Sequence, residues 1–163
     1  MIEIIVSTIA VILSVIAIGV TVTTWKLTRP IEKKQYDSSS MQFVFSLLSD
    51  PNLLCGKENI SHAYWDCKDK KKPVHFDENS SKKSAFRIRE RYDQVCSLYV
   101  NELLDKDFLR LIYGSSVVRF YKILEEDISR LRIINPDIST SFQQVADEFI
   151  TKHKISVPPY RPT

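Results

Sequence analysis

Four residues able to ligate a metal fall within one short stretch: Cys55, His62, Cys67 and His75. Structural zinc sites pair thiolates or imidazoles at short spacing, so that a single turn of chain presents two ligands together. None of the four is matched in that way, His62 and Cys67 being the nearest neighbours, so no metal site is expected. The cysteines, Cys55, Cys67 and Cys96, are odd in number and read as reduced thiols. A Cys55–Cys67 disulfide would require an oxidising compartment.

Nucleophilic catalysis needs a Ser or Cys with a base and an oxyanion hole. The chain has no G-x-S-x-G, no H-E-x-x-H and no phosphate-cradling glycine loop, since its only glycines are Gly19, Gly56 and Gly114. Acids adjoin at Glu125, Glu126 and Asp127. On a helix they fall opposite an apolar stripe, within reach of Arg119, Lys122 and Arg130, the pattern of a solvated face rather than an acid–base pair. In Arg87-x-Arg89-x-Arg91, residues two apart lie about 200° apart on a helix, so Arg87 and Arg91 share a face and Arg89 leaves it. Neither catalytic nor cofactor-binding residues are expected, and the chain does not read as an enzyme.

The elements that would carry these residues are all helical. Met41, Val44, Phe45 and Leu48 repeat at helical spacing after a cap at Asp37 or Ser38. Asp50-Pro51 stops that helix and starts the next, because proline suits a first helical turn. A charged surface loop is expected over 67–84. Ile88, Tyr92, Val95, Cys96, Tyr99 and Leu103 then form a core-facing stripe, on which Cys96 reads as a small buried hydrophobe. Asp105 and Asp107 cap a short helix that Gly114 is expected to end. Ser115 or Ser116 would cap a long helix with Val117, Tyr121, Leu124, Ile128 and Leu131 on one side. Thr140 with Gln143 reads as a capping box for the last helix, lined by Ile138, Phe142, Val145 and Phe149. An extended, mobile, proline-rich tail is expected over 155–163.

Ahead of this body, Ile4 to Trp25 carries no charge. As a helix, roughly 22 residues span about 33 Å, the thickness of a bilayer core. Met1-Ile2-Glu3 lacks the basic start of a signal peptide, so a retained transmembrane anchor is expected over 1–28. The helical body follows over 29–154. Trp25, Lys26, Arg29, Lys33 and Lys34 would meet the lipid headgroups, and positive charge stays on the cytoplasmic side. The expected topology is single-pass in a cell inner membrane, N-terminus out and body in the cytoplasm. Ser7, Ala10, Ser14, Ala17, Thr21 and Thr24 alternate at spacings of three and four, a stripe of small and hydroxylated residues that lets helices approach. Ser and Thr can equally bond their own backbone, so the stripe is either an oligomer seam or local composition. The net charge of +3 does not suit a dedicated nucleic-acid binder.

The order Asp50-Pro51, Tyr92-Asp93, Leu103-Leu104-Asp105, Tyr113-Gly114, Arg130 to Arg132 and Phe142 resembles a family of uncharacterised bacterial single-pass membrane proteins, often described only as a domain of unknown function. That resemblance implies an N-terminal membrane helix and a small helical cytoplasmic domain. It supplies no catalytic residues, and the charged stretch from Cys67 to Ser84 lies outside it.

The expected fold is therefore all-α, one membrane helix followed by a small helical bundle. The expected function is a membrane-tethered, non-enzymatic interaction module with a protein partner, homo-oligomeric through its anchor. Two alternatives stand beside it. One is a bacterial or prophage-encoded exclusion or defence factor that obstructs phage entry at the inner membrane, and the other is an enzyme whose site matches no motif.

The seam has a direct test. Interhelical hydrogen bonds in membranes are worth about 0.6 kcal/mol on average, so no single hydroxyl should dominate. Ala10→Leu with Ala17→Leu should weaken self-association of the anchor in a bacterial membrane reporter assay, while Ile9→Leu with Ile16→Leu should change it little. Equal behaviour of the two pairs would reduce the stripe to composition.

Overall fold

A computed structural model of the chain describes residues 38–76 and 79–158. The anchor expected over 1–28, its seam and its headgroup contacts lie outside the described residues. Among the described residues no helix is long and apolar enough to cross a membrane, and every regular element is helical, with no strand. The helices are α1 (38–48), α2 (Pro51–Asp69), α3 (Asn79–Val100), α4 (Lys106–Phe108), α5 (Gly114–Arg132) and α6 (Thr140–Thr151). A π-helical turn, Leu109–Tyr113, joins α4 to α5.

Period explains the buried face of the central helix. In α3 the residues Ile88, Tyr92, Val95 and Cys96 are fully enclosed, as their 3–4 spacing predicts. The helix then ends at Val100, and the buried leucine is Leu104, whereas Leu103 is 41% exposed. α3 is central: α2 packs along it, α6 packs against it, and α5 closes on α6 and α3. α1 contributes Val44, Leu47 and Leu48 to the same core. Its Phe45 meets the rings of Phe108 and Tyr113 edge-on, at 5.5 and 6.0 Å between centroids.

Local signals set several boundaries. Asp50 caps α2, its carboxylate accepting from Asn52 N–H at 2.8 Å, with Pro51 in the first turn. Asp105 accepts from Phe108 N–H at 2.8 Å. With glycine scarce, α2 and α3 stop on left-handed non-glycine residues, Lys71 (φ 53) and Glu102 (φ 58). In each case two backbone bonds close the end in a Schellman arrangement: Lys72 N–H reaches Cys67 O and Lys71 N–H reaches Lys68 O, then Leu103 N–H reaches Leu98 O and Glu102 N–H reaches Tyr99 O.

Other expectations are corrected. The charged stretch 67–84 is half helix, because α2 continues to Asp69 and α3 starts at Asn79. Between them Val74 and Phe76 are buried, and Glu126 of α5 accepts from Val74 N–H at 2.8 Å while pairing with Lys68. Both contacts hold the Glu126 carboxyl below its ordinary value. Gly114 follows the last residue of the π turn, as expected, but it is right-handed (φ −54) and begins α5, so the helix runs on through it. Ser116 is no cap either, being bonded to Tyr92. The Thr140–Gln143 capping box does not form. Ser139 (φ 56) stands at the cap position of α6 without a side-chain bond, and Asp93 of α3 accepts from Phe142 N–H at 2.9 Å instead.

The described part of the tail is docked rather than free. Lys154 (φ 55) turns the chain so that Ile155 N–H bonds Phe149 O at 3.0 Å, and Lys122 Nζ donates to Val157 O at 3.4 Å. The Ile155 side chain rests on Gly114, where an added Cβ would lie 2.8 Å from Ile155 Cδ1. Gly114→Ala should therefore leave overall stability within about 1 kcal/mol, since alanine favours the helix by about that much. It should also push Ile155 off its seat. Faster trypsin cleavage at Lys152 and Lys154 would register this, and an unchanged rate would refute it.

Candidate functional site

The metal-ligating residues noted in the sequence are only partly brought together. His62 and Cys67 of α2 line one open groove with Asp66, and His75 reaches it from the connection to α3. Cys55 is exposed and is no part of that lining. Among the described residues no three His, Cys, Asp or Glu side chains are grouped so that they could hold a metal ion. All three cysteines are free thiols, and burial pushes the thiol of Cys96 well up from its ordinary value.

Of the three adjoining acids of α5, Glu125 and Glu126 are exposed as the sequence reading expects, and Asp127 departs from it. Asp127 is only 4% exposed. Its carboxylate receives Arg89 Nη1 at 3.1 Å on one oxygen and Arg130 Nη2 at 2.7 Å on the other. Arg89 thus leaves the Arg87–Arg91 face, as its spacing requires, to meet a carboxylate 38 positions further on. Burial pulls the Arg89 guanidinium down from its ordinary value, opposed by the charge of Asp127.

This ion pair floors a cleft of about 320 Å³ between α3 and the end of α5. Phe76, Ala85, Phe86, Leu131 and Ile134 provide apolar walls, and Lys82 stands at the rim. The Phe86 ring lies over the Arg89 guanidinium at 5.6 Å, yet Phe86 remains 55% exposed. Ile133 and Ile134 are 85% and 86% exposed. Arg132 holds the turn they occupy, donating to the carbonyls of Ile138 (2.8 Å) and Ser139 (3.0 Å) and to the Gln143 side chain. Chemically the cleft can hold an apolar group beside positive charge. Sequence reasoning missed Phe86, Ile133 and Ile134, although a large aromatic on the polar side of α3 and an isoleucine pair before Asn135-Pro136 were visible signals.

A second polar cluster is structural. Tyr92 is enclosed, its hydroxyl 2.6 Å from Ser116 Oγ and its ring stacked on Phe142 at 5.3 Å. Lys57 Nζ lies 5.5 Å from the centroids of both Tyr92 and Phe120. Desolvation lowers the Lys57 amine and raises the Tyr92 phenol from their ordinary values.

A helical body carrying an apolar, base-rimmed cleft and lacking a metal-holding cluster among its described residues is the class of molecule that emerges. The chain belongs to the family described as domain of unknown function DUF4760, whose model matches residues 4–149. One family unit therefore spans both the uncharged run and the helices as far as α6. No curated protein and no solved structure matches the chain.

Removing one partner of a buried ion pair strands the other charge, whereas replacing the pair by apolar groups is often neutral. Asp127→Asn should therefore cost about 3 kcal/mol. Arg89→Met with Asp127→Leu should stay within about 1 kcal/mol of the natural protein. Urea unfolding of the full chain in detergent measures both, and equal losses in the two variants would contradict the pairing.

Proposed function

We propose that the protein is a membrane-tethered, non-enzymatic helical module that binds another protein at the inner face of a bacterial plasma membrane. The observation that carries this reading is the division of one family unit into an uncharged run, Ile4 to Trp25, and a polar helical body. Lys26, Arg29, Lys33 and Lys34 follow the run at once, which favours a cytoplasmic body with these bases and Trp25 among the headgroups. The small-residue stripe from Ser7 to Thr24 would pair anchors of two or more copies.

Support for a binding rather than a catalytic role comes from how the body uses its charges. Asp127, Glu126 and Asp93 are each engaged in holding helices or their connection in place, which gives these acids a structural role. A reporter fused after Thr163 should be active only as a cytoplasmic fusion. A periplasmic phosphatase that turned on at that position would reverse the orientation and sink the reading.

A further inference from the structure

We propose that the edge of the body centred on Phe86 and Ile134 docks an acidic segment of a partner protein that anchors itself by a large apolar side chain. The inference rests on the reading of the chain as an interaction module and names the chemistry of its partner.

Two recesses meet at Phe86. The first is the apolar cleft of about 320 Å³ over Arg89 and Asp127, at the lower end of the range that takes small ligands or anchoring side chains. The second, on the outer face of α3, is lined by Lys82, Lys83, Arg87, Arg91 and Glu90 around the same ring. That is four bases against one acid among the described residues. Several surface bases elsewhere on the body are answered by acids, as in Lys70 with Asp66, Lys106 with Glu102, Arg110 with Asp107 and Lys152 with Glu148. Lys82, Lys83 and Arg87 make no ion pair among the described residues. An exposed aromatic and an exposed aliphatic beside uncompensated cations match the anatomy of a binding patch, with an apolar centre and a charged rim.

Charge complementarity selects the occupant. A second copy in a two-fold contact would set these same bases against one another. A lipid surface would satisfy the bases but could not fill the recess over the Arg89–Asp127 pair. A polypeptide carrying Asp or Glu next to a Leu, Ile or Phe satisfies both, its apolar side chain entering the cleft and its carboxylates meeting Lys82, Lys83 and Arg87.

The test is photocrosslinking of the full chain in its host membranes, with p-benzoyl-phenylalanine placed at Phe86 and, for comparison, at Leu54 and Leu111, exposed apolar positions on other elements. Position 86 should give an adduct whose crosslinked segment, read by mass spectrometry, has acids beside an apolar residue. Lys82→Glu with Lys83→Glu and Arg87→Glu, all exposed and so without consequence for folding, should cut that adduct at least about fivefold. An adduct at 86 with lipid, with a second copy or with a segment lacking acids overturns the proposal, as does insensitivity to the charge reversal. Protein adducts at 54 or 111 but not at 86 defeat this inference alone. Absence of any protein adduct at all three defeats the module reading with it.

Discussion

Tyr92 is the point through which four helices are held. Its ring stacks on Phe142 of α6 and lies 5.6 Å from Phe120 of α5, its hydroxyl is bonded to Ser116 of α5, and Lys57 of α2 lies against its face. A buried phenol needs a partner for its hydroxyl, and Ser116 supplies one only if α5 sits at one height along α3. The next residue, Asp93, fixes α6 in the same way by accepting from the Phe142 N–H, one of the unpaired donors of its first turn. Two adjacent residues of α3 thus set the positions of both helices that close the core. The capping box that Thr140 and Gln143 could have made for α6 gives way to this arrangement.

What could be read in advance was what depends on neighbours in the chain. The Ile88–Tyr99 stripe, Asp50-Pro51 and the Asp105 cap are local patterns, and each operates as its spacing implies. Contacts between distant residues were hidden for the same reason. A helical wheel gives the angle of Asp127 on α5 but not that Arg89 lies across from that angle, so a buried carboxylate looked solvated. The charged connection between α2 and α3 looked like a surface excursion because its lysines outnumber Val74 and Phe76, the two residues that pin it. Thr140 and Gln143 have the right types for a capping box, yet Arg132 takes the Gln143 side chain and Asp93 takes the backbone.

The candidate site was less legible than the fold. Periodicity identifies residues that belong inside, and Phe86 is conspicuous only as an aromatic that does not belong there. Its meaning emerges when Ile134, nearly fifty residues on, is brought beside it by the turn that Arg132 clamps. The arginine–aspartate floor gives that recess a fixed shape at some cost in desolvation, a trade seen where buried charge serves definition more than stability.

The π-helical turn before α5 has a bearing on how this chain can change in length. A π turn closes its ring with one residue more than an α turn, and one residue in an α-helix is about 100° of rotation. Leu109–Tyr113 absorbs that extra residue without turning α5 away from α6, and Leu111 and Ile112 are left on the outside, 70% and 56% exposed. Loss of a single residue within this turn can be absorbed by a return to α geometry, with the flanking helices keeping their faces. The same loss inside α3 or α5 would swing every following side chain a quarter-turn or more out of the core. Variation in length among related chains should accordingly collect at this turn and at the α2–α3 connection, and be absent between Ile88 and Tyr99.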